Sequence, residues 1–437
     1  MKNNFTPDKF VALNPEWKWQ DFAMRSQQIA AQLEQDDVSS VAFWFEDAAT
    51  YACAMLACFQ AKVRILLPPN LLPENQQWIA ENSDFLFDDK RFETYGILQK
   101  ITENRPLFDE ENQTEIWLKT SGSTGEPKIL CKTAQKMWLE SKAIAATIPF
   151  HGTDFHVVSS VSAQHHFGLS YRVMLPLSMG WSIGRHQLPY PEYMIGESLF
   201  AKKALWISSP ALLTRLNTDD PRFADAHIGG IISSGGVLPT QIANKLREKL
   251  NTVVAEGYGS TETGVIAFRT DEGLWTPTPF TKLGLNEQGA LWVDSPWLDQ
   301  IEQTSDAAEI YGTQFKLLGR IDRIVKFGDK RISLVNIEQD LLQHPWVADC
   351  YIAQHPEQAR PAAWVALTEA GIAAYHEQTR MAFVDQLRHF LMQSQEAAGV
   401  PRFWRFAEQL PRNSQSKISR LDFNQVFLNQ QDDNLHA

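Results

Sequence analysis

The chain has 437 residues, 44% of them hydrophobic and 21% charged, a composition that excludes a disordered or fibrous protein and predicts two or three folding units. Its formal charge of −12 is spread without a run of lysine and arginine, which excludes nucleic acid as an expected partner. Four cysteines without metal-ligand spacing, no apolar run behind the N-terminal lysine and no stretch of about 18 apolar residues point to a soluble protein of the reducing cytoplasm, without a membrane span.

In chain order, Phe22, Ile29, Ala30 and Leu33 share one face of a helix predicted over residues 19–33, which opens the fold. Residues 41–45 read as a buried strand, 47–61 as a helix and 63–67 as a strand closed by Pro68 and Pro69. The rhythm continues with strands at 116–119 and 155–161 and a helix at 134–148. Strands at 204–207, 228–233 and 252–255 follow, with a helix at 239–250 before the last. Such alternation predicts a parallel sheet covered by helices. After Arg320 the pattern shifts to short strands near Ile324 and Arg331, a helix at 337–342, and strands at 347–353 and 362–367. A long helix at 373–395 and a strand at 403–406 complete it. The fold class is therefore α/β: a large N-terminal domain with parallel-rich sheets and helices over residues 1–320, and a small α+β domain over 321–437. Only the tail, 429–437, reads as disordered.

The strongest local signal is Thr120-Ser121-Gly122-Ser123-Thr124-Gly125-Glu126-Pro127-Lys128, directly after a predicted strand. Its glycines let the backbone turn tightly and present N–H groups, while the hydroxyls and Lys128 add donors for phosphate oxygens. A polar surface turn is the plainer alternative. The Gly-Lys-Ser/Thr ending of a Walker loop is absent, which disfavours a P-loop NTPase. A second signal, Glu256-Gly257-Tyr258-Gly259-Ser260-Thr261-Glu262-Thr263, follows the strand predicted to end at Ala255. There Thr261 is suited to phosphate and Glu262 to Mg²⁺, with helix capping by Ser260 and Thr261 as the bland alternative. Ligands gather at the carboxyl ends of strands in α/β sheets, so the two loops are expected to converge.

Together the loops resemble those of the adenylate-forming superfamily of acyl-CoA synthetases, peptide-synthetase adenylation domains and luciferase-like enzymes. The resemblance implies ATP as substrate, with Thr120 to Gly125 and Lys128 on its phosphates and Tyr258, Gly259, Thr261 and Glu262 as the Tyr-Gly-x-Thr-Glu motif. It further implies adenine against Gly235 and Gly236 of Ser234-Gly235-Gly236, and ribose on Asp306 of Thr304-Ser305-Asp306 and on Arg320 of Gly319-Arg320-Ile321-Asp322, with Asp322 as the hinge of a mobile small domain. His165 looks like the family histidine near the acid carboxylate and the thiol tunnel, with its neighbour His166 as an alternative. Lys417, in Leu410-Pro411-Arg412-Asn413-Ser414-Gln415-Ser416-Lys417-Ile418, resembles the lysine that bridges carboxylate and α-phosphate.

The chain departs from the family at Asp329, where a glycine is usual in the loop lining the thiol tunnel, at Asn336, which replaces a common glutamate, and at Ser416, which replaces the glycine before Lys417. The stretch before the phosphate loop is also short. These departures keep a carrier-protein thiol open beside CoA. The implied function is activation of a carboxylic acid as acyl-AMP with release of pyrophosphate, then transfer to CoA or a phosphopantetheinyl carrier protein. The small or apolar residues at 231–237 and 263–267 suit an aryl or medium acyl acid, since no acidic residue awaits an α-ammonium group. The alternative from another class is a catalytically silent nucleotide-binding protein with the same fold.

Overall fold

The computed structural model describes residues 6–101, 105–120, 128–150, 152, 155–271, 273–327, 330–412, 418–428 and 433. The expected parallel pairing is realised in two sheets rather than one. The first runs in the order Phe85–Asp88, Ser40–Trp44, Arg64–Leu67, Glu115–Lys119, Ile129–Thr133, all parallel except the last pair. The second runs Thr276–Pro277, Gly264–Arg269, Val254–Ser260, Ile228–Ser233, Ala204–Ser208, His156–Ser159, Ser182–Gln187 and is parallel from Val254–Ser260 onward. Its first three strands are antiparallel.

The helix Ala48–Ala61 shows why two sheets fit one core. Asp47 caps it, its carboxylate accepting from the amides of Ala49 and Thr50 at 2.7 and 3.3 Å, and Lys62 ends it in the left-handed region. Being apolar all round, the helix is buried and packs against strands of both sheets. Each fully buried side chain such as Leu56 or Met55 contributes about 1.5–3 kcal/mol. A hairpin, Phe10–Leu13 with Glu16–Lys18, precedes the helix Trp19–Gln35, so that helix is not the first element as expected.

The chain divides into two compact units, one of residues 1–283 with 293–302 and one of 284–292 with 303–437. The junction expected at 320/321 lies within the second of these. There the strands Val347–Gln354, Pro361–Leu367 and Phe403–Ala407 form a sheet, and Ile337, Leu341, Phe383, Leu387 and Leu391 fill the core against it. The long helix expected at 373–395 is two helices, Glu369–His376 and Arg380–Leu391. Thr379 breaks it: its backbone is extended, and its hydroxyl accepts from Ala382 N at 3.3 Å, capping a new start. Of the tail read as disordered, 429–437, only Asp433 lies among the described residues; its carboxylate accepts from Tyr375 Oη at 2.6 Å, Arg380 Nε at 2.7 Å and Phe406 N at 3.0 Å.

Candidate active site

Both motifs sit on hairpins where a parallel run of strands turns antiparallel. In the first sheet, Glu115–Lys119 and Ile129–Thr133 pair in register, and Thr120 N donates to Lys128 O at 2.8 Å to close the base of the intervening loop. Thr120 is half-buried and Lys128 exposed. Ser121, Gly122, Ser123, Thr124 and Gly125 lie outside the described residues.

In the second sheet the strand does not stop at Ala255 but runs through Ser260 and folds back as Gly264–Arg269. The motif is therefore strand and tight turn, not a loop leading to a helix, and no helix follows for Ser260 and Thr261 to cap. Ser260 N donates to Thr263 Oγ1 at 2.9 Å and Thr263 N to Ser260 Oγ at 3.1 Å, which fixes Thr261 and Glu262 at the apex. Trp297 Nε1 donates to Thr263 O at 2.8 Å from behind. Gly259 is needed because a Cβ there would lie 2.1 Å from the carbonyl oxygen of Gly264. The Tyr258 ring packs on Trp275, with centroids 5.5 Å apart.

The Ser234-Gly235-Gly236 segment joins this strand directly: Ser234 Oγ donates to Gly257 O at 2.8 Å. Gly235 has φ +83°, a conformation L side chains rarely adopt, and both glycines are exposed. In the second unit, Asp306 and Arg320 are direct partners across the antiparallel strands Glu302–Tyr311 and Gln314–Arg320, which sets them on one face of the sheet. Asp322 falls in a single 3₁₀ turn, Ile321–Arg323. Lys417 and Asp329 lie outside the described residues.

The two histidines separate cleanly. His166 is buried, its Nε2 3.1 Å from Glu140 Oε2. His165 is half-buried and makes no side-chain hydrogen bond among the described residues; burial lowers its pKa, favouring the neutral ring. Glu140 also accepts from Ser170 Oγ at 3.0 Å and from Val265 N at 3.1 Å. Burial pushes the Glu140 carboxyl up, but His166, Lys132 and the Val265 amide together outweigh it and hold the pKa at about 2.

Thr261 and Glu262 open onto a cleft of about 150 Å³ whose wall includes Lys132, Trp297, Asp299 and Glu302. Hard oxygen donors of this kind, the Thr261 hydroxyl and the exposed Glu262 carboxylate, suit Mg²⁺. Lys132 is only 5% exposed, and no described residue gives its ammonium a hydrogen bond or ion pair. Burial lowers its pKa, against the charges of Glu140, Glu262 and Asp299.

The model of the AMP-binding enzyme family matches residues 3–285, which takes in both hairpins and the glycine segment between them. The chain belongs to the AMP-binding enzyme family. Among curated relatives of this AMP-binding enzyme, the 4-coumarate–CoA ligase of Halorhodospira halophila is 26% identical over 70% of the chain and 76% of that protein. The 4-hydroxybutyrate–CoA ligase 1 of Metallosphaera sedula is 23% identical over 77% of the chain and 66% of its own length. A crystal structure of an anthranilate CoA ligase with anthranoyl-AMP superposes with a TM-score of 0.81 over 97% of this chain and 95% of that one, at 15% identity. The o-succinylbenzoate CoA synthetase of Bacillus subtilis gives 0.77 over 96% of each at 18% identity. These likenesses establish the fold of the adenylate-forming superfamily, with a large N-terminal and a small C-terminal domain.

Sequence reasoning missed Glu140 and Lys132. A signal for the first existed: Glu140 shares the inward face of the helix Ala134–Thr147 with Met137, Ser141 and Ile144, where an acid is out of place unless paired. Lys132 lies between Leu130 and Ala134 at strand spacing, a position that favours an apolar residue.

Proposed function

We propose that this AMP-binding enzyme activates an aryl or medium-chain carboxylic acid and transfers it to a thiol. The acid's carboxylate oxygen attacks the α-phosphorus of ATP, forming the acyl–O–P bond as the bond to the pyrophosphate oxygen breaks. The thiolate of CoA or of a carrier protein then attacks the acyl carbon and expels AMP. The observation that carries the reading is the Ser260–Thr263 turn, because it holds Thr261 and Glu262 rigidly at a cleft beside the glycine-bearing strand end that suits a nucleotide.

Thr261 would hydrogen-bond a phosphate oxygen and Glu262 would hold the metal. A bound Mg²⁺ would supply charge neutralisation for the polyphosphate. Gly235 and Gly236 leave a flat surface for the base, and the paired Asp306 and Arg320 take the ribose. Thr120, Ser121, Gly122, Ser123, Thr124, Gly125 and Lys128 are assigned to the phosphates, and Lys417 to the charge shared by carboxylate and α-phosphate. Neutral His165 is assigned to the carboxylate end of the acid, and rotation near Asp322 to the exchange between half-reactions. The apolar acid is assigned from the small and apolar residues at 231–237 and 263–267.

Acid-dependent exchange of pyrophosphate into ATP over a panel of aryl and aliphatic acids tests the proposal. Exchange stimulated by an aryl or medium-chain acid is the expected result. ATP binding without exchange for any acid would instead leave the silent nucleotide-binding protein. Thioester formation with CoA and with holo-carrier protein, run in parallel, separates the two thiols.

A further inference from the structure

Lys132 is a charge that, among the described residues, is left without a direct partner. The residue is only 5% exposed, yet none of the described residues lies within ion-pair distance of its ammonium. A buried cation is costly unless an anion meets it. The cleft that Lys132 lines carries the carboxylates of Glu262, Asp299 and Glu302 and the hydroxyl of Thr261. Asp299 is already engaged by Lys136. A bare anion entering this cleft meets repulsion from the other two acids, whereas an anion carrying a divalent cation meets complementary groups of both signs. Metal-bound polyphosphate has that chemistry.

We propose that Lys132 is a polyphosphate-binding residue, its ammonium taking terminal phosphate oxygens of the triphosphate, and hence of departing pyrophosphate, in the cleft it shares with Thr261 and Glu262. This rests on the adenylating reading of the site. The alternative source of an anion is the acid substrate, whose carboxylate carries one charge and no metal. A purely structural Lys132, serving as counter-charge to Glu140, is the second alternative.

The test is calorimetric titration of the whole protein with inorganic pyrophosphate plus Mg²⁺, with AMP, and with benzoate, for wild type, Lys132→Met and Lys132→Arg. Pyrophosphate affinity is expected to fall roughly ten- to a hundredfold in Lys132→Met, to recover largely in Lys132→Arg, and AMP and benzoate binding to stay unchanged. The apparent KM for pyrophosphate in the exchange reaction should rise in parallel. Unchanged pyrophosphate affinity in Lys132→Met overturns the proposal and leaves Lys132 as the counter-charge of Glu140. Loss of benzoate binding instead assigns the amine to the acid and also overturns it, as does equal loss of AMP and pyrophosphate, which marks a damaged fold. Should wild type bind AMP but not pyrophosphate, this inference fails while the nucleotide site stands. Should it bind neither, the adenylating reading fails with it.

Discussion

Glu140 and Lys132 are two buried charges carried on adjoining stretches of chain, and they are treated in opposite ways. Glu140 is fully met: His166, Ser170 and the amide of Val265 surround its two oxygens. Lys132, a few residues earlier on the strand Ile129–Thr133, faces a cleft and has no such partners among the described residues. The first arrangement clamps the helix Ala134–Thr147 to the strand Gly264–Arg269 and so steadies the turn bearing Glu262. The second leaves a charge for something that arrives. A completed buried ion pair marks architecture, and an incomplete one facing a cleft marks binding.

The largest effect is expected at the completed cluster. Glu140→Ala strands the imidazole of His166 and the amide of Val265, so chemical denaturation should show a loss of about 3–5 kcal/mol. A loss below 1 kcal/mol would mean the cluster does not bind the two elements together. The same cluster gives a pH signature. Because the folded pKa is held at about 2, below the unfolded carboxyl near 4.3, the carboxylate's contribution is complete above about pH 4.3 and is lost as pH falls toward 2. The stability difference between wild type and Glu140→Gln, followed by thermal melting from pH 7 to 3, should therefore shrink below about pH 4. A constant difference would contradict the ionised clamp.

Gly259→Ala is expected to cost about 1–3 kcal/mol, because the added methyl meets the Gly264 carbonyl across the hairpin and must spread the turn. It should also weaken nucleotide binding by displacing Thr261 and Glu262. Binding unchanged at lowered stability would separate the turn from the site.

Lys132→Met, by contrast, should leave stability within about 1 kcal/mol of wild type or raise it, since an apolar side chain replaces a desolvated cation. A loss as large as that of Glu140→Ala would erase the distinction between the two charges. The smallest stability effect is expected from His165→Ala, within about 1 kcal/mol, while the neighbouring His166→Ala follows Glu140→Ala. Thermal melting of the two variants side by side checks this pair. If His165 also bears on the acid, its loss should show in acyl-AMP or thioester formation rather than in the melt.

Much of the large region's layout was legible because strands such as Ile228–Ser233 and helices such as Ala48–Ala61 are dense apolar runs bounded by turn and cap residues. The Tyr258–Glu262 spacing was legible for a related reason: a tight turn demands particular residues at particular local offsets. What escaped depended on distant partners. Sequence periodicity near residue 255 cannot show that the strand continues through Ser260, because the pairing that extends it comes from Gly264–Arg269 and the hairpin's own bonds. The break at Thr379 was hidden by apolar spacing that runs on through both helices. Sequence by itself thus determined the family and the order of most elements, both properties of local spacing. Only the tertiary structure decided that His166 is bound to Glu140 while His165 is not, and that Lys132 is buried at the cleft of Glu262. Desolvation and pairing of a single charge depend on which remote side chains reach it, and no local pattern encodes that.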